Sequence, residues 1–141
     1  MDSTVRIPRL LGLGAGGAVA ATVVNAAIFG VGRAADVSYL VDGEPIELQH
    51  VVSLTLMGLA VGFVAAAVVA RFRPTGLRAL AVLGGVLGVL TMAMDLSVDS
   101  AAAAISLASM HLVTGAAYVL SLRAAVTVPG ERRSAAELAV A

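Results

Sequence analysis

The chain has 141 residues, of which 60% are hydrophobic and 13% charged; nine arginines balance nine acidic residues, and lysine and cysteine are absent. Without cysteine there are no disulfides, no thiolate zinc or iron–sulfur ligands and no cysteine nucleophile. The apolar residues fall in four long blocks with the charges between them, the pattern of an all-α bundle of four transmembrane helices.

The first predicted span covers about 10–32. Its opening, LGLGAGG, contains glycines at 12, 14 and 17 that fit G-x-G-x-x-G. A dinucleotide site needs a strand before the first glycine and a βαβ unit around it. Here a short tail with Arg6, Pro8 and Arg9 precedes Gly12, and a membrane-length run follows. The glycines are therefore read as packing positions. Gly12 and Gly16 are spaced as G-x-x-x-G, as are Gly58 with Gly62 and Gly84 with Gly88. Such faces let helix backbones approach; they serve packing inside the bundle or a homodimer contact. A cleaved signal peptide is the rival for this block, but the apolar run exceeds an ordinary h-region and three more spans follow.

An acidic loop over 33–49 comes next, with Arg33, Asp36, Asp42, Glu44 and Glu47. Asp42-Gly43 is a turn signal between 37–41 and 45–48, a candidate short hairpin. Tyr39 and Phe72 are read as remnants of an interfacial aromatic belt. Arg33 either pairs with a neighbouring acid or holds an anionic headgroup or carboxylate.

The second, third and fourth spans are expected over about 51–70, 77–96 and 101–122. Arginines 6, 9, 71, 73, 78, 123, 132 and 133 all fall on one side and only Arg33 on the other. By the positive-inside rule both termini face the cytoplasm of a multi-pass inner-membrane protein. So Ala- and Gly-rich a bundle is tightly packed, and any cavity in it is narrow or opens sideways to lipid.

Polar residues inside the spans mark the candidate site, because they are costly in hydrocarbon and usually face the bundle interior. Asn25, Asp95 and His111 form its centre. His111 and Asp95 offer acid–base chemistry, and Asn25 a hydrogen-bonding group that positions a carbonyl or hydroxyl. Arg33, His50, Thr91, Ser106 and Ser109 are candidate ligand-binding residues at the same end, which reads as polar above a sealed inner half. The competing reading is structural: His111 bonds Asn25 or a serine to tie helices together, Asp95 caps the fourth span, and His50 rests at the interface. Two histidines at different depths do not suit bis-histidine haem, and His50, His111 and Asp95 match no recognised zinc spacing. No cofactor is expected. Nothing resembles a nucleic-acid surface, which needs a basic groove with base-reading groups.

The stretches ATVVNAAIFGVGR and MHLVTGAAYVL, with Asn25 in the first and Met110, His111 and Leu112 in the second, give the chain a resemblance. It resembles small four-helix actinobacterial membrane proteins grouped as a family of unknown function, over about residues 8–124. The resemblance implies a four-span architecture and no particular reaction. Three function classes follow: an accessory subunit or binder of a lipid-like small molecule; an enzyme acting on an apolar isoprenoid, quinone or polyketide; and a small transporter. Expected partners are membrane lipids, an apolar ligand, and a second copy or larger membrane protein.

Overall fold

The computed structural model describes residues 6–41, 43–93, 98 and 100–126. Four helices dominate: α1 (Ile7–Ala34), α2 (Leu48–Phe72), α3 (Leu77–Thr91) and α4 (Ala101–Val126). Each is long and apolar enough to cross a membrane, α3 together with the 3-10 turn Pro74–Gly76 that precedes it. Large apolar side chains such as Val19, Val23, Leu54, Val61, Val64 and Leu120 are exposed. That much exposed apolar surface suits hydrocarbon and not water.

The helix ends explain why α1, α2 and α4 exceed the predicted blocks, whereas α3 ends at Thr91, short of the predicted 96. Pro8 lies in the first turn of α1, where its missing N–H costs nothing. At the other end Val37 N donates to Gly32 O at 2.9 Å and Asp36 N to Arg33 O at 3.2 Å, and Asp36 is left-handed with φ 56°. This is a Schellman closure with aspartate where glycine is usual, and Arg33 in the last turn complements the helix dipole. α2 starts with a capping box in which His50 Nδ1 accepts from Glu47 N at 3.2 Å. α4 is capped by Ser100, whose Oγ accepts from Ala103 N at 3.1 Å. Asp95, expected at the centre of the site and as a cap only in the competing reading, lies outside the described residues, as do Asp42, Asp99 and the tail from residue 127.

The loop between α1 and α2 forms a hairpin shorter than predicted. Strands β1 (Leu40–Val41) and β2 (Glu44–Pro45) pair antiparallel, Leu40 opposite Pro45, with Gly43 at φ 80° in the turn. Val41 also bridges Val98, ahead of α4. Tyr39, expected at the membrane interface, is instead 1% exposed. Its ring packs on Phe29 with centroids 4.7 Å apart, and its hydroxyl occupies the notch left by Gly32. The hairpin is thereby anchored to the bundle.

In the bundle, α1 packs against both α2 and α4, and α3 packs mainly against α4. Two apolar clusters form the interior. One contains Phe29, Tyr39, Val51, Ala103 and Met110 at the hairpin end. The larger one includes Leu10, Leu59, Phe63, Leu77, Tyr118 and Leu122 and extends to the arginine-rich end.

The glycine faces divide differently from expectation. Gly12 and Gly16 meet nothing within 4 Å, as does Gly58, so these positions are not packed inside the chain. The inward glycines of α1 are Gly14, against the Phe63 ring, Gly17, against Ser121, and Gly32, against Tyr39. Only the Gly84 and Gly88 pair behaves as an internal face: Gly84 makes room for the Tyr118 ring, and Gly88 lies against Gly115 of α4.

Candidate functional site

Between the two apolar clusters lies one polar layer. Asn25 is 1% exposed, and its Nδ2 donates to Thr55 Oγ1 and to Thr114 Oγ1, both at 3.0 Å. Thr114 Oγ1 in turn donates a hydrogen bond to Met110 O at 2.8 Å. Along α1, α2 and α4 alike, the threonine or asparagine separates residues of one cluster from residues of the other. One amide thus joins three helices. The Asn25 Oδ1 is buried without a partner among the described residues.

Of the other predicted site residues, Thr91 and Ser109 are engaged within their own helices and Asp95 lies outside the described residues. Thr91 donates to Gly88 O at 3.0 Å and Ser109 to Ile105 O at 2.8 Å. His50 is exposed and engaged in the α2 cap. Arg33 is exposed at the end of α1. His111 and Ser106 are half-buried on α4. Among the described residues, no group of three His, Cys, Asp or Glu side chains is placed to hold a metal ion.

Tyr118, four residues beyond Thr114 on α4, also serves the bundle. Its ring packs on Phe63 at 5.3 Å and its hydroxyl donates to Gly62 O at 3.2 Å. Ser121 Oγ likewise donates to Leu13 O at 3.2 Å, and Arg9 reaches Ala124 O at 3.1 Å. Polar side chains of α4 are thus spent on holding α1 and α2.

Two grooves lie elsewhere. A groove of about 920 Å³ follows the seam of α3 and α4, lined by Val82, Gly85, Val86, Val89, Leu90 and Val119, with Arg78 and Arg123 at one end. A second groove, about 530 Å³, separates α2 from α3 along Val68, Phe72, Ala79 and Leu83. Both exist because α3 leans on α4 and touches α2 little. Neither is lined by Asn25, His111, Arg33, His50, Thr91, Ser106 or Ser109. The larger was missed from sequence because its lining is ordinary span residues. The available signal was Arg78 and Arg123, which sit next to facing apolar runs.

Fold and site together define a small four-helix membrane-type bundle with a sealed polar layer and a lateral apolar groove. A family model described as a family of unknown function (DUF6069) matches residues 5–128, and the chain belongs to that family. Comparison with curated proteins and with solved structures found no match in either.

Proposed function

We propose that the protein is a non-catalytic component of the cell membrane that holds a lipid-like molecule in the α3–α4 groove. In this reading the four spans cross the membrane with both termini on the cytoplasmic side, and the Asn25 layer is a structural pin. The observation that carries it is the groove itself: apolar along its length, charged at one end, and about 920 Å³ in volume. Ligand clefts generally measure about 300–1,000 Å³ and are lined mainly by apolar groups with few polar ones. The orientation is supported by the arginines, which gather at the groove's charged end. The Ala-rich, lysine-free composition supports an actinobacterial source.

Native mass spectrometry of the full chain, gently extracted from its own membrane, tests this. Wild type is expected to carry a discrete lipid-like adduct, and Val86→Phe, which fills the groove at an exposed position, to lose it. An adduct-free wild type bound to a defined protein partner would replace this reading with that of an accessory subunit.

The enzyme reading draws on one observation, the Asn25 Oδ1 that is buried without a partner among the described residues, an acceptor able to orient a reacting group. It predicts turnover lost in His111→Ala with the bundle intact.

A further inference from the structure

We propose that the α3–α4 groove seats an anionic phospholipid, with an acyl chain along α3 and the phosphate between Arg78 and Arg123. This rests on the groove being a lipid site and adds the class of headgroup. The groove's charged lining consists of those two arginines. Arg78 is the second residue of α3 and Arg123 lies in the last turn of α4, so both stand at the same end. Guanidinium groups present a planar fork of donors that fits phosphate oxygens in pairs.

Among the described residues, positive charge gathers at this end. Arg9, Arg71 and Arg73 lie at this end, whereas the described carboxylates, Asp36, Glu44 and Glu47, belong to the hairpin end. A second copy is a poorer occupant. Copies in one membrane share an orientation, so each would set its arginines against the other's at the same depth. An anionic headgroup removes that repulsion.

The length also fits. The lining of α3 runs from Leu77 to Leu90, about 20 Å at the helical rise. One leaflet contributes about half of a hydrocarbon core of about 30 Å. The groove therefore starts at headgroup level and reaches past the midplane, enough for one acyl chain.

The test uses the full chain in detergent with phosphatidylglycerol and phosphatidylcholine of identical acyl chains, and native mass spectrometry counts the lipid retained. An arginine near an anionic headgroup contributes about fivefold in affinity, so wild type should prefer phosphatidylglycerol by about 25-fold. Arg78→Gln with Arg123→Gln should bring the two lipids within about twofold while retention persists. Arg78→Lys with Arg123→Lys keeps the charge, and should keep part of the preference; its loss there would count against a charge-read headgroup. Equal retention of both lipids by wild type, or an unchanged preference in the glutamine variant, overturns the headgroup assignment and leaves the groove standing. Undiminished retention by Val86→Phe overturns the groove reading itself. A lipid-free dimer overturns both.

Discussion

Asn25 Nδ2 donates to Thr114 Oγ1 at 3.0 Å, joining the first and last helices in the seam between two apolar clusters. The same amide reaches Thr55. Side-chain hydrogen bonds in membrane proteins average about 0.6 kcal/mol and reach about 1.7. Asn25→Ala should therefore cost about 1–3 kcal/mol in reversible unfolding in detergent. Thr55→Val and Asn25→Ala should combine with less than the sum of their effects, since they share a bond. Strict additivity would argue that the layer does not act as one unit.

Gly84 and Gly12 should respond in opposite ways to a methyl group. A Cβ at Gly84 would enter the Tyr118 ring, and overpacking of this kind costs about 1–3 kcal/mol. A Cβ at Gly12 meets nothing within 4 Å, so Gly12→Ala should gain up to about 1 kcal/mol from lower chain entropy in the unfolded state. Thermal unfolding of the two variants reads the difference. Destabilisation by Gly12→Ala would show that a partner or second copy covers that face.

The contrast between these glycines marks what could be read from the sequence. Existence of the spans was legible, because crossing hydrocarbon requires about 20 apolar residues and four blocks meet that length. The facing of the helices was mostly not. Where a helix is apolar on nearly every side, as α1 is around Gly12, Gly14, Gly16 and Gly17, no periodicity selects the packed face. Asn25 was the exception, since burying its amide in the bundle is far cheaper than exposing it to lipid. The groove was hard to read because it follows from how α3 leans on α4; its one sequence signal was the pair Arg78 and Arg123 beside apolar runs. Tyr39 was misplaced because an aromatic beside a span end usually belongs to the interface; here Gly32 opens a notch that takes its hydroxyl.

Tyr39 predicts the behaviour of the hairpin. With its ring on Phe29 and 1% exposed, Tyr39→Ala should cost about 3–5 kcal/mol, as for other large core truncations. Limited proteolysis should then cut within 35–47 under conditions where wild type resists. Equal resistance would show that the β1–β2 pairing and the Val41–Val98 bridge hold the hairpin without the tyrosine.

His111 separates a binder from an enzyme. It lines neither described groove, so His111→Ala should leave lipid retention in native mass spectra within about twofold of wild type, well under the tenfold that corresponds to about 1.4 kcal/mol. Loss of the adduct in a folded His111→Ala protein would move the site to the Asn25 end.

The most direct measurement is photo-cross-linking of the full chain in bilayers with a phospholipid bearing a diazirine near the middle of one acyl chain, followed by peptide mapping. A lipid seated between α3 and α4 predicts label concentrated on Val82, Val86 and Val119. Label spread evenly over exposed apolar positions such as Val19, Val61 and Leu120, or concentrated on the Gly12 and Gly16 face, would contradict a lipid-binding groove.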